Sequence, residues 1–304
     1  MSIIKALLFE IAMKTKSAQI TAILLFAAAV IFAFPLFGQE VEHLSDVWKE
    51  FTDIPIKRVD RCKDIVEIFK NFGADEIYVE PIEGGNSCPG NIIVPLKSGI
   101  AKDRLDGDSV SYIIISAHLD MEGNGVGALD NYSGILMMAA LYQGLKGRER
   151  AHDFLFIAFD REEEGLLGSK AFVKKSRFMP KMPENIHAVI NLECLGIMLP
   201  HPWPEGSSDS LEDLYVEVGK RYNLDLSPVS IKDVRADSLP FLEKGFPAIT
   251  LDGIMPYDIF ILSSELDVPA VVDKNIFFQS YPILLEYILE VDAQSEWPDP
   301  KNVR

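Results

Sequence analysis

Carboxylates and one histidine recur in the middle of this sequence, each group just after a short apolar stretch. In chain order these side chains are His118, Asp120, Asp130, Glu162, Glu163 and Glu193. Imidazole and carboxylate groups are typical ligands of zinc-like divalent ions. An ion held in this way activates water, and a neighbouring carboxylate can take up the proton of that water. The pattern therefore predicts a site for one or two zinc-like ions that activate water.

The spacing of these residues suggests separate roles. His118 and Asp120 are two positions apart at the end of an extended run, so their side chains share one face. His118 can bind metal while Asp120 orients its neighbours. Of the adjacent Glu162 and Glu163, one carboxylate can bind metal while the other moves a proton from water to the leaving group. Glu193 ends an apolar run, where a carboxylate is costly unless it is metal-bound or, in the simpler alternative, salt-bridged.

Asp130 follows the glycine-rich segment Gly123–Gly127. That segment lacks the Lys-Ser/Thr pair of a phosphate-binding loop, which argues against a phosphate site. We interpret it as a flexible turn that places Asp130 at the start of the next helix. There the carboxylate could cap the helix and bind metal with different oxygen atoms.

Buried strands and helices alternate along the rest of the chain. Strands are predicted at Ser111–Ala117, Asp153–Asp160, Ala188–Glu193 and Pro247–Leu251, and helices at Tyr132–Leu145, Gly165–Lys175, Asp209–Tyr222 and Asp273–Val291. This alternation indicates an α/β fold in which a mostly parallel, mixed sheet carries helices on both faces. Ligands of such sheets bind beyond the carboxyl ends of the strands, which is where the candidate metal ligands lie.

The bulk composition fits one large globular domain. The chain has 304 residues, of which 48% are hydrophobic. Its formal net charge of -17 argues against nucleic acid as a partner, because binding to phosphates needs a basic surface. The three cysteines are too few for a disulfide framework, and a single bridge between Cys62 and Cys88 is left open.

Residues 1–38 are predicted to lie outside the domain, which would comprise residues 39–304 and end in a polar tail. Lys14 and Lys16 precede the apolar run Ile20–Phe37, and the small residue Gly38 precedes a polar start. The pattern is typical of a signal peptide, and the length of the run also suits an uncleaved membrane anchor. In either case we expect an extracytoplasmic domain, whether secreted, periplasmic or membrane-anchored. A membrane is an expected partner only if the segment stays uncleaved.

Four segments taken together resemble the secreted co-catalytic zinc aminopeptidases, a zinc exopeptidase family that also includes glutaminyl cyclases and glutamate carboxypeptidase. The segments are Ser116–Asp120, Gly127–Gly134, Glu162–Ser169 and Asn191–Glu193, within a resemblance that runs from Arg58 to Val291. The resemblance implies a three-layer αβα architecture, zinc as the cofactor and peptides as substrates.

The resemblance also implies a role for each ligand. Asp130 would bridge two ions, of which one is also bound by His118 and Glu193. The second ion would be bound by Glu163 and by a histidine near the C-terminus. Glu162 would then be the general base, and Asp120 would support His118.

This sequence departs from the family pattern at the C-terminal histidine. In the family that histidine stands four residues before an Asp, and the matching stretch Ser263–Asp267 has Ser263 in its place. A hydroxyl group is a poorer zinc ligand than an imidazole. The candidate substitute ligands are Ser263 itself, His201 in the loop after Glu193, and Glu265.

We expect a metal-dependent exopeptidase. An aminopeptidase is favoured over a carboxypeptidase, because acidic surroundings would hold a free α-amino group. The first alternative is a catalytically impaired family member that acts in binding or structure. A weaker alternative is a glutaminyl cyclase-like acyltransferase. It is weaker because the zinc of that activity corresponds to the metal position that Ser263 weakens, and because the paired Glu162 and Glu163 favour hydrolysis.

Overall fold

The computed structural model describes residues 44–82, 89–98, 111–175 and 186–297. Its strands are β1 (Tyr78–Glu80), β2 (Asn91–Leu96), β3 (Tyr112–His118), β4 (Asp153–Phe159), β5 (Ile186–Glu193), β6 (His201–Pro202) and β7 (Ala248–Asp252). Its helices are α1 (Arg58–Asn71), α2 (Ser133–Leu145), α3 (Leu167–Lys175), α4 (Asp209–Arg221), α5 (Leu239–Leu242) and α6 (Lys274–Asp292), and residues 44–49 are also helical.

Seven strands of the described chain form one sheet, in the order β1-β2-β4-β3-β5-β7-β6. The central strands β4, β3, β5 and β7 are parallel to one another. The strands β1, β2 and β6 pair antiparallel at the two edges. The predicted α/β fold with a mostly parallel, mixed sheet is therefore confirmed.

Helices cover both faces of this sheet. The ring of Phe156 in β4 meets that of Tyr142 in α2 at 5.3 Å, whereas Phe159 meets Phe172 of α3 at 5.8 Å. Side chains three positions apart in a strand point to opposite faces, so α2 and α3 lie on opposite sides of the sheet. Every side chain of β4 is buried, as a strand covered on both faces requires. The core thereby holds the carboxyl ends of the central strands in fixed relation.

The predicted bounds of the eight main elements agree with the structure to within two residues. The sequence analysis did not predict β6 or α5. Both are too short, at two and four residues, to show a periodic apolar pattern. The segment 1–38 lies outside the described residues.

The described residues from Asp46 onward form one compact unit. Among the helices of the described ranges, none has the length and apolar character needed to span a membrane. Cys62 is disulfide-bonded, and Cys194 is a free, buried thiol. Cys88, the other half of the bridge left open above, lies outside the described ranges.

Two histidines lie at the amino edge of the sheet, away from the candidate ligands. The rings of His152 and His187 stack at 4.1 Å with an angle of 19° between their planes. His152 Nδ1 lies 3.2 Å from Oδ1 of Asp292, at the end of α6. Burial, and secondarily the neighbouring His152, lowers the pKa of His187 to about 4. This pair is therefore a structural feature of the edge opposite the candidate site.

Candidate metal centre

Three adjacent strands place the candidate ligands at one edge of the sheet. His118 is the last residue of β3, Glu193 is the last of β5, and Glu162 and Glu163 follow the end of β4. Because these strands are parallel, their carboxyl ends meet at the same edge. His118 Nε2 lies 2.9 Å from Oδ1 of Asp130 and 3.5 Å from Oε2 of Glu193.

The orientation of His118 leaves one ring nitrogen for a metal. Its Nδ1 lies 3.2 Å from the backbone carbonyl oxygen of Asp120. A carbonyl oxygen only accepts hydrogen bonds, so Nδ1 is the donor, and Nε2 of the neutral ring would keep its lone pair for a metal. That lone pair points toward the carboxylates of Asp130 and Glu193.

Asp130 lies in a wide turn, Ala128–Tyr132, between β3 and α2, in which Asp130 and Asn131 have non-helical backbone angles. The carboxylate of Asp267 holds this turn, since Oδ1 accepts a hydrogen bond of 2.6 Å from the N–H of Leu129 and Oδ2 one of 3.3 Å from that of Asp130. The helix-capping role considered for Asp130 is wrong, because the residue at the N-cap of α2 is Tyr132. The Asp130 side chain is therefore free to face His118.

A buried arginine supports the same turn from behind. Arg61 of α1 is 1% exposed, and its Nη2 donates a hydrogen bond of 2.7 Å to the carbonyl oxygen of Gly127. Its guanidinium group also lies 5.1 Å from the centre of the Tyr132 ring. Gly127 has φ +60, and a Cβ there would lie 2.8 Å from Arg61 Nη1, so a glycine is needed at this position. Helix α1 thereby fixes the backbone that leads into Asp130.

Asp120 links His118 to the two glutamates. Its carboxylate lies 3.6 Å from His118 Nδ1 and accepts hydrogen bonds from the backbone N–H groups of Glu162, at 3.0 Å, and Glu163, at 3.2 Å. Asp120 thus has the geometry for its predicted orienting role, because its backbone carbonyl oxygen accepts from the imidazole and its carboxylate holds the start of the loop that carries both glutamates.

Two side-chain amides orient Glu193. Asn191 Nδ2 donates a hydrogen bond of 2.8 Å to Oε1, and Asn131 Nδ2 donates one to Oε2. Ser116 Oγ in turn donates to Oδ1 of Asn191, also at 2.8 Å. No salt bridge to Lys or Arg holds Glu193 among the described residues, and its charged neighbour is His118, 3.5 Å away.

Three glutamates of the cluster have raised pKa values. Burial, together with nearby carboxylates, raises the pKa of Glu162 to about 9 and that of Glu163 to about 7. Burial also raises the pKa of Glu193 well above its ordinary value. Burial alone would lower the pKa of His118, but the carboxylates of Glu193, Asp120 and Asp130 raise it instead. Such groups compete for protons unless a divalent ion takes the place of those protons.

The donor atoms fit such an ion. His118, Asp130 and Glu193 each offer one ligand atom, and these atoms lie within 4.8 Å of one another. One imidazole and two carboxylates meet the three-ligand count of a catalytic zinc site. A second group of the same kind consists of His118, Glu162 and Glu163. Because Nδ1 of His118 faces Asp120, both groups depend on the same Nε2 atom.

Of the three candidate substitute ligands, Ser263 lines the pocket and the other two do not. Ser263 lines the same pocket as Glu163, with φ +55, and a Cβ on Gly123 would lie 2.0 Å from its carbonyl oxygen. His201 does not line this pocket, and its Nδ1 lies 2.7 Å from the carbonyl oxygen of Ser227. Glu265 is exposed and lies outside the pocket lining. Neither His201 nor Glu265 belongs to either three-donor group of the described chain.

The ligands face a cavity of about 450 Å³. Its described lining includes the apolar residues Trp203, Ile254, Ile259 and Leu262 and the acidic residues Asp233 and Asp252. The sequence analysis did not single out the supporting residues Arg61, Asn191 and Asp252. Asp252 directly follows a predicted strand, which is the same signal that identified Glu193.

The model of "Peptidase family M28" matches residues 100–275. Among curated proteins, aminopeptidase Y of Saccharomyces cerevisiae is 27% identical over 155 residues, which is 49% of this chain. The chain spans only 29% of the length of that yeast protein.

Solved structures share the fold at low sequence identity. LapB from Legionella pneumophila has a TM-score of 0.70 at 18% identity, covering 83% of this chain and 72% of its own. BSAP, a zinc aminopeptidase from Bacillus subtilis, has a TM-score of 0.57 at 20% identity, and the match covers 69% of this chain and 52% of the BSAP chain. Porphyromonas gingivalis glutaminyl cyclase has a TM-score of 0.62 at 16% identity, and the match covers 83% of this chain and 96% of the cyclase chain. The three-layer architecture implied by the family resemblance is confirmed.

Proposed function

Because this chain belongs to peptidase family M28, we propose that it is a metal-dependent exopeptidase, and specifically an aminopeptidase that hydrolyses N-terminal residues from peptides. The proposal depends on one observation above all. His118, Asp130 and Glu193 offer three ligand atoms within 4.8 Å of one another, and Glu162 lines the same pocket. A metal-binding set beside a buried carboxylate is what hydrolysis of an amide bond requires.

Zinc is the proposed cofactor, held by His118, Asp130 and Glu193. When bound, zinc would polarise the substrate carbonyl group and lower the pKa of water to about 7. We propose one tightly bound ion per chain. The group that contains Glu163 depends on the same His118 nitrogen, and Ser263 offers only a hydroxyl where an independent third ligand would be.

Glu162 is the proposed general base. Its carboxylate lines the same pocket as the three proposed ligands, where it could accept a proton from water. The same group would then donate that proton to the leaving amine. The hydrogen bond from its backbone N–H to Asp120 fixes the start of its loop relative to His118.

The charge of the pocket supports an aminopeptidase rather than a carboxypeptidase. Among the described residues that line the pocket, Arg235 is the one Arg or Lys side chain against six carboxylates, those of Asp130, Glu162, Glu163, Glu193, Asp233 and Asp252. A single bound divalent ion would leave this excess of negative charge in place. The pocket therefore suits the α-ammonium group of a peptide better than its α-carboxylate.

Ser263 favours a second candidate function, that of a catalytically impaired family member that binds peptides without cleaving them. Loss of one ligand at the Glu163 position would abolish activity if the reaction needed two ions. The glutaminyl cyclase alternative has support only from the shared fold.

We also propose that the domain works outside the cytoplasm. The disulfide bond at Cys62 supports this location, because such bonds persist in oxidising compartments.

The experiment that tests the aminopeptidase proposal replaces Glu162 by Gln in the zinc-loaded protein. Glu162→Gln should lower kcat on aminoacyl anilides at least 100-fold while zinc remains bound, because an amide cannot accept the proton. The matched control is Glu164→Gln, since Glu164 is exposed and pairs with Arg58 and Arg161. Full activity of Glu162→Gln would remove that residue from the mechanism. Absence of cleavage by the zinc-loaded parent protein would favour the non-catalytic candidate.

A further inference from the structure

Asp252 ends β7 directly beside Glu193, the last residue of β5. The two residues are partners in the parallel register of these strands. Neighbouring strands lie about 4.8 Å apart, and partnered side chains point to the same face. The N–H of Gly253 donates a hydrogen bond of 3.0 Å to the carbonyl oxygen of Glu193. A Cβ on Gly253 would lie 2.6 Å from the carbonyl oxygen of Cys194, so the two strand ends are in close contact.

The carboxylate of Asp252 has no cationic partner in the described part of the chain. It lines the pocket, and its Oδ1 accepts a hydrogen bond of 3.1 Å from the N–H of Ile254. His201, its register partner in β6, lies against the carbonyl oxygen of Ser227 instead. Asp252 is half-buried. A partly desolvated carboxylate gains from a counter-charge, and an incoming cation would supply one.

We infer that Asp252 binds the α-ammonium group of the substrate's N-terminal residue. The inference rests on the proposed aminopeptidase function. In such a substrate the ammonium nitrogen lies about 2.5 Å from the scissile carbonyl carbon, because only the Cα atom separates them. A carboxylate one strand away from the proposed zinc ligand Glu193 is therefore close enough to serve this group. The apolar lining, with Trp203 and Ile254, would receive the side chain of the same residue.

The test compares the zinc-loaded parent protein with Asp252→Asn. Asparagine keeps the oxygen that accepts the Ile254 hydrogen bond and removes the charge. The matched control is Asp225→Asn. Asp225 is an exposed residue outside the pocket, and its Oδ1 likewise accepts a hydrogen bond, of 3.2 Å, from the N–H two residues ahead, in Ser227. The substrates are leucine anilide, lysine anilide and the anilide of 4-methylpentanoic acid, which is leucine anilide without its amine.

Asp252→Asn should raise KM at least tenfold for both amino acid anilides, with kcat changed less than threefold and zinc content unchanged. Cleavage of the 4-methylpentanoyl anilide should be slow and equal in all three proteins. A loss confined to lysine anilide would mean that Asp252 recognises a basic side chain, which overturns the inference. An equal loss on all substrates, or a loss of zinc, would mean a structural role and would overturn it as well.

A binding measurement separates failure of this inference from failure of the proposed function. If the parent protein cleaves none of these anilides, the function fails, but calorimetry can still compare leucine amide with 4-methylpentanamide. Leucine amide should bind the parent protein at least tenfold more tightly than it binds Asp252→Asn, whereas 4-methylpentanamide should not distinguish the two proteins. Equal binding of leucine amide to both proteins would overturn the inference.

Discussion

The side-chain amide of Asn131 donates a hydrogen bond to the carboxylate of Glu193, joining the turn before α2 to the end of β5. The same nitrogen donates to the carbonyl oxygen of Leu192 at 2.8 Å, and the amide oxygen accepts from the N–H groups of Gly134 and Cys194. Asn131 thus uses its whole amide group to fix Glu193 relative to Asp130, its neighbour in the chain. A side chain that holds two candidate ligands in register should matter for metal affinity even though it does not bind the metal.

We predict that Asn131→Ala weakens zinc binding about 10- to 100-fold, the range typical for groups that orient metal ligands. Asn191→Leu should act in the same direction, because it removes the hydrogen bond to the other oxygen of Glu193. Competition with a chromophoric chelator measures both affinities. Asn275→Ala, at an exposed position in α6, is the control and should bind zinc like the parent protein. Unchanged affinity in Asn131→Ala would show that Glu193 needs no such support, or that it is not a ligand.

Ser263→His should raise zinc occupancy toward two ions per chain. The new imidazole would give Asp130 and Glu163 a third ligand of their own, so the second ion would no longer depend on His118. Metal analysis after dialysis gives the stoichiometry. Glu265→His places the same imidazole at an exposed position nearby and should leave one ion bound. If His201 already served as a ligand, His201→Gln would release zinc from the parent protein, and we expect no such release.

The stacked rings of His152 and His187, at the amino edge of the sheet, predict an acid-sensitive contribution to the free energy of unfolding. The folded pKa of His187, about 4, lies below the ordinary value of 6.5. Between these two values the unfolded chain binds a proton that the folded chain does not, so this contribution is present above pH 6.5 and is lost as the pH falls toward 4. The decrease in denaturation midpoint from pH 7.5 to pH 4.5 should be smaller in His187→Gln, whose side chain does not titrate, than in the parent protein. Equal falls would assign the acid sensitivity to other groups.

The sequence could predict the fold because local signals agreed with it. Runs such as Tyr112–Ser116 are apolar at nearly every position, which only a strand buried on both faces tolerates. The same runs located the ligands, since His118 and Glu193 end two of them. The short β6 gave no signal, because His201 and Pro202 are a poor strand sequence at a sheet edge.

The supporting residues could not be predicted in the same way. Arg61 lies in a helix of mixed polarity, and only the packing of α1 against the rest of the chain brings its guanidinium group to Gly127. Asn191 lies inside an apolar strand, where the sequence gives no reason for an amide. The reason is the pair of hydrogen bonds with Glu193 and Ser116, which only the structure shows. These contacts depend on strand order, which a single sequence does not encode locally.

Asp267 comes 138 residues after Leu129 in the chain, yet its carboxylate accepts the hydrogen bond from the N–H of that residue. All the proposed ligands have therefore been synthesised well before the residue that holds their turn in place. We expect a nascent chain that ends before Asp267 to bind zinc poorly, although it already contains His118, Asp130 and Glu193. Completion of the metal centre would thus report synthesis of the chain through Asp267, and a product truncated before that residue would remain inactive.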